Sequence, residues 1–209
     1  MRRAYLAAAD TVLELLARPE VAAAWTSPSA LEQWTVGGLA AHLGGQVLTV
    51  ERIVGLAPPE LAPIALDDHY GRAAWVGAAV DDPVNAGIRE GGEREAAGGP
   101  RELLATVLAA REALGERLPS EAADRVVLIP WQGWALTLDD FLTTRMMEIV
   151  VHSDDLAASV RIEAPAQSRE VLDPVLGLLT RLAVRRHGQS AVVTALSRRE
   201  RAPASISAF

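Results

Sequence analysis

A chain of 209 residues, half of them hydrophobic and 22% charged, can bury a sizeable core and has the composition of a folded globular protein. Its formal charge of −7, from 20 basic and 27 acidic residues, argues against a nucleic-acid binder, which needs a basic face. With no cysteine there is neither a disulfide nor a thiolate metal ligand, and covalent thiol chemistry would need a thiol from elsewhere.

Residues 4–18 carry Tyr5, Ala9, Val12 and Leu16 on one stripe of an amphipathic helix, which Pro19 ends. Asp10 and Glu14 interrupt the apolar run after Arg2 and Arg3, so this segment is not a secretory leader. No apolar stretch is long enough to span a bilayer, and a cytoplasmic protein without membrane contact is expected. Ser27-Pro28-Ser29 is a turn, and Thr35 is placed to cap a second helix with the core stripe Leu39, Leu43, Val47, Val50 and Val54. His42 lies beside that stripe. Two glycine pairs, Gly37-Gly38 and Gly44-Gly45, lower helix propensity but permit close approach of a neighbour.

The proline-rich residues 57–63 read as a linker, and helical signal resumes over Leu66 to Ala79, which includes His69 and Trp75. Residues 91–100 read as a weak, flexible break in a helix that continues through Leu103, Leu104, Leu108 and Leu114. Residues 125–137 are the strand-like part, two short extended runs about Gln132-Gly133 that make a small hairpin or ordered loop. Thr137 with Asp140 fits a capping box, opening a helix to about Val160. A further helix at about 168–187 carries Arg185, Arg186 and His187 in its last turn and stops at Gly188, and the tail reads as a short helix and an extension. The predicted fold is all-α: a four-helix bundle over 1–160 and a helical C-terminal extension over 161–209. Several arginines crowd this extension (Arg198, Arg199 and Arg201 besides Arg185 and Arg186), a local anion site in prospect. All basic residues are Arg, and Ala and Gly are abundant, as in a GC-rich genome.

The helix opened at Thr137 carries a polar line, Arg145, Glu148, His152 and Asp155, at spacings of three or four that put all four on one face. Leu142, Met146, Ile149 and Leu156 flank it, so the line should face inward or into a cleft. A buried glutamate needs a compensating partner, either an arginine such as Arg145 or Arg52, or a metal. Taken alone, Glu148 and His152 fit an ion pair or chance spacing, and His42 fits a hydrogen-bonded core histidine. His69 reads as solvated or as a local hydrogen-bond partner, with a metal role as the lesser alternative, and His187 as a residue favoured by the helix dipole. Taken together, His42 from one helix with Glu148 and His152 from a facing one make a three-donor set of the kind bundles build internally. Imidazole and carboxylate donors suit zinc or another divalent first-row metal, with one position left open.

The stretch 34–43, TrpThrValGlyGlyLeuAlaAlaHisLeu, followed by 145–157, ArgMetMetGluIleValValHisSerAspAspLeuAla, resembles the mycothiol-dependent maleylpyruvate isomerase family. That family belongs to the DinB-like superfamily of metal-binding four-helix bundles, and the resemblance covers roughly the first three-quarters of the chain. It implies that His42, Glu148 and His152 bind zinc and that mycothiol is the thiol cosubstrate. It further implies attack of that thiol on an electrophilic small molecule, as an S-transferase or as a cis-trans isomerase of the maleylpyruvate type. Arg145 and Asp155 are candidates for catalytic roles, in support of the ligands or against substrate, although Asp155 also fits a solvated helix residue. About fifty residues follow the bundle and read as mostly helical, where the family's isomerases carry a larger α/β domain. The alternative is a non-catalytic bundle that binds metal or a small ligand. A bundle of this size often forms a homodimer, but no residue specifies an interface.

Overall fold

The computed structural model describes residues 1–122 and 124–209. Four helical segments build the core: α1 (Arg2–Leu16), α3 (Val36–Gly55), the interrupted pair α5 (Pro83–Glu95) and α6 (Gly99–Arg117), and α7 (Leu138–Val160). A short α2 (Pro19–Ala23) follows α1, and α4 (Leu66–Arg72) lies in the connection from α3 to α5. α3 packs against α5, α6 and α7, and α1 against α6 and α7. This is the all-α, DinB-like four-helix bundle, with a helical extension in which α8 (Arg169–His187) lies on α7 and α1 and α9 (Gln189–Ser197) packs on α8.

Local chemistry explains the boundaries. Pro19 stops α1 and, with its fixed φ, opens α2 at the first position. Thr35 caps α3, its Oγ1 accepting from the Gly38 amide at 2.9 Å. Glu93 of α5 reaches across and accepts from both the Thr35 amide and the Thr35 hydroxyl. That contact needs Gly38, because a Cβ there would stand 2.3 Å from the Glu93 carboxylate. Gly44 similarly lets α6 approach, a Cβ there falling 2.9 Å from Val107 Cγ2.

Two expected helices are revised. The helix expected over 66–79 ends at Arg72, where Ala73 turns extended and a turn with Gly77 at positive φ follows. The break expected over 91–100 is narrower. α5 continues to Glu95 from an Asp82 cap and Pro83 at its first turn, and only a 3₁₀ turn at Ala96–Gly98 separates it from α6.

The hairpin is real: β1 (Val126–Ile129) pairs antiparallel with β2 (Trp134–Thr137), closed by Gly133 at φ 77°. Residues 57–63 are non-helical as expected, and Pro63 bridges Ala135 beside the hairpin. β2 runs into α7 without a linker. Thr137 ends the strand and caps the helix, accepting from the Asp140 amide at 3.2 Å. Arg161 ends α7 in the left-handed region. Beyond α9 the chain returns, so that Phe209 stacks on Trp75 and Tyr70 and His187 Nε2 donates to the Ser207 carbonyl. None of the described helices is long and apolar enough to cross a membrane.

Candidate metal centre

The apolar flanks of α7 anchor it with Leu142, Met146, Ile149 and Leu156 fully buried. This turns the polar line toward α3. There His42 meets it, and the side-chain donor atoms of His42, Glu148 and His152 lie within 4.8 Å of one another. His152 Nε2 is 3.2 Å from Glu148 Oε2, and His42 Nε2 is 3.8 Å from the same oxygen. The two imidazole rings meet edge to face at 4.9 Å, and Trp34 packs its edge on His42 at 5.3 Å. The three side chains keep 21%, 14% and 18% of their surface, so the cluster is recessed but not sealed.

Each charge has a physical cause. Burial alone would raise the Glu148 pKa, but the adjacent imidazoles of His152 and His42 and the nearby Arg145 guanidinium outweigh it and hold the carboxyl well below its usual value. Burial works against a charged His152, yet its hydrogen bonds to Asp155 and Glu148 carry the pKa up to about 9. Burial dominates at His42 and pushes its pKa down, the contact with Glu148 only partly opposing this.

The donor set fits a divalent first-row cation. Ligand bonds of about 2.0–2.1 Å in a tetrahedral site put neighbouring donors about 3.3 Å apart, and the observed 3.2 and 3.8 Å bracket that separation. His152 Nδ1 is hydrogen-bonded to Asp155 Oδ2 at 3.0 Å, which orients the ring and directs Nε2 to the cluster. Such a carboxylate partner is the usual companion of a metal-bound histidine.

Of the other residues singled out in the sequence, Arg145 lies beside the cluster, its Nη2 4.0 Å from Glu148 Oε1. Its closer partners are the Gln46 side chain (Nη1 to Oε1, 2.7 Å) and Thr144 Oγ1 (3.0 Å). Arg52 is not a partner of Glu148, whose ion pairs run to His42, Arg145 and His152. Of the alternatives for His69, solvation is corrected and a hydrogen-bond partner is found, although a distant one in sequence. The ring is buried, and its Nδ1 accepts from Trp134 Nε1 at 3.1 Å, away from the cluster. Burial, assisted by the positive charge of Arg145, lowers its pKa to about 4. Gln46 and Trp34 escaped the sequence reading, although Gln46 stands one helical turn after His42 and was legible by spacing. Two surface concavities of about 740 and 560 Å³ lie elsewhere, at the N-terminal arginines and at the end of α3, and share no residue with the cluster.

The family model described as the mycothiol maleylpyruvate isomerase N-terminal domain matches residues 5–157, well over half of the chain. The chain belongs to this family. The match covers α1 through nearly all of α7, including the three clustered donors, and leaves α8 and α9 outside. No curated protein and no solved structure matches the chain. Membership ties the bundle to a mycothiol-related, metal-binding enzyme family, and the His42, Glu148 and His152 cluster is where this chain can offer a cation three donors.

Proposed function

We propose that the protein is a divalent-metal-dependent enzyme, with zinc as the leading occupant, that activates mycothiol for attack on an electrophilic small molecule. The reaction is an S-transfer or a cis-trans isomerisation of the maleylpyruvate type. The observation that carries the reading is the convergence of one carboxylate and two imidazoles from two facing helices on a partly open point. Residues 1–160 form the metal-binding unit and 161–209 an extension of it, and the setting is cytoplasmic.

His42, Glu148 and His152 would hold the cation, whose Lewis acidity lets a bound thiol lose its proton at neutral pH. Glu148 supplies the negative charge that offsets part of the cation's. Asp155 keeps His152 turned so that Nε2 faces the cluster. Arg145 stands at 4.0 Å from Glu148, near enough to temper its charge without occupying a ligand position. Trp34 walls the His42 side with apolar surface and limits water there.

Purified protein should contain close to one divalent metal per chain, and His152→Ala should contain none. Incubation with mycothiol and a panel of electrophiles, read by mass, should then reveal a conjugate or an isomerised product. No metal in either protein rejects the centre, and metal without any turnover favours a second reading, a non-catalytic metal-binding bundle.

A further inference from the structure

Gln46 follows His42 by one turn on α3 and is only 5% exposed. Its side-chain oxygen accepts from Arg145 Nη1 at 2.7 Å, and its nitrogen donates to the His42 carbonyl at 2.9 Å. A guanidinium only donates and a carbonyl only accepts, so these two contacts fix which end of the amide is which. The same nitrogen stands 3.4 Å from His42 Nε2, the atom that His42 offers to the cluster. One amide hydrogen is therefore spent on the carbonyl. The other faces a ring nitrogen at the outer limit of hydrogen bonding.

That second hydrogen has no durable acceptor. Once the Nε2 lone pair is given to a cation, the ring can no longer accept from it. A buried N–H without a partner is costly, and a guest with excess negative charge beside His42 would satisfy it. Two contacts hold the amide's orientation, and a third fixes the backbone that carries it. Arg145 fixes the oxygen, the His42 carbonyl fixes the nitrogen, and the Tyr5 hydroxyl donates to the Gln46 backbone carbonyl at 3.0 Å from α1.

We propose that Gln46 donates its free amide hydrogen to the sulfur of the thiol cosubstrate, and that Arg145 acts through Gln46 as a positioning residue. The inference rests on the thiol reading above. A neutral donor here stabilises negative sulfur without burying it under a full positive charge, which would blunt it as a nucleophile. Arg145 is kept one residue back from the guest by the same contact that orients the amide.

The test uses the full chain loaded with cobalt(II) as an optical probe and titrated with mycothiol. Gln46→Met keeps the length and removes both polar ends, whereas Gln46→Glu keeps an oxygen for Arg145 and removes the donor. Both variants should hold cobalt at the wild-type stoichiometry and bind mycothiol roughly tenfold more weakly. The pH midpoint of the thiol-dependent absorption band should move upward in both. Wild-type thiol affinity and midpoint in both variants overturn the proposal. So does weakened binding in Gln46→Met alone, which assigns the effect to the Arg145 anchor, and so does loss of cobalt from both, which makes Gln46 part of the ligand frame. Wild-type protein that takes up cobalt but shows no thiol-dependent band overturns the thiol reading, and this proposal with it.

Discussion

The protein holds recessed histidines in two settings, and although burial lowers the pKa of both, their net shifts are opposite in sign. His152 sits between two carboxylates, Glu148 and Asp155, and its pKa rises to about 9. His69 has an indole N–H on one nitrogen and aromatic rings of Tyr70 and Trp134 around it, and its pKa falls to about 4. Both rings are largely out of water. The difference shows that carboxylate partners overturn the effect of burial at His152, whereas at His69 no carboxylate contact does so and burial prevails. The carboxylate-flanked ring of His152 stands in the three-donor cluster, and the indole-bonded ring of His69 does not.

The largest effect should come from removing the shared carboxylate. Glu148→Gln should abolish metal binding, taking the content per chain from near one to near zero by elemental analysis. In the metal-free variant the His152 pKa, followed by NMR, should drop below about 9. An unchanged His152 titration would break the contrast between the two settings. Asp155→Asn should have the next effect, weakening metal affinity by roughly 10- to 100-fold in a chelator competition while leaving the fold intact.

The pH dependence of stability should separate the settings further. The raised pKa of His152 contributes stability to the metal-free protein that is fully present below about 6.5 and is lost as the pH rises through about 9. The depressed pKa of His69 contributes the reverse, a stability present above about 6.5 and lost as the pH falls toward about 4. Urea denaturation across this range should show both limbs. His69→Phe should reduce the acidic one, to which the depressed pKa values of His42 and Glu148 also contribute, and saturating metal, by displacing the His152 proton, should flatten the alkaline one. The smallest effect should be that of Trp134→Phe, which removes the indole donor to His69 and should cost about 1 kcal/mol at neutral pH. A His69 titration unmoved by that change would mean that burial and the Arg145 charge set it without the indole.

The two settings also differ in how far they were legible in the sequence. Arg145, Glu148, His152 and Asp155 share one face because local helical spacing dictates it, and the apolar flanks of α7 force that face inward. His42 beside the stripe of a second long helix completed the set. His69 was read as solvated or as a local hydrogen-bond partner, because its actual partner and shelter come from Trp134, 65 residues away, on a hairpin whose packing no local pattern encodes. The same limit applies to α5. Its Asp82-Pro83 opening is a local signal that was overlooked, whereas the clasp of Glu93 on Thr35 is a long-range contact. Gln46 fell between these cases: its spacing from His42 was visible, but its orientation depends on an arginine 99 residues away.

Arg125 has a consequence at the opposite end of the two helices that carry the centre. Its guanidinium donates to the Val54 and Leu56 carbonyls where α3 ends, and its own carbonyl accepts from Leu138 where α7 begins. Each α-helical residue turns the chain by about 100°, so one residue gained or lost near Leu138 would swing the face bearing Glu148 and His152 away from His42. Arg125 thus works as a common index mark, setting the rotational phase of α7 against that of α3. The alignment of three donor atoms is indexed from a residue that touches none of them.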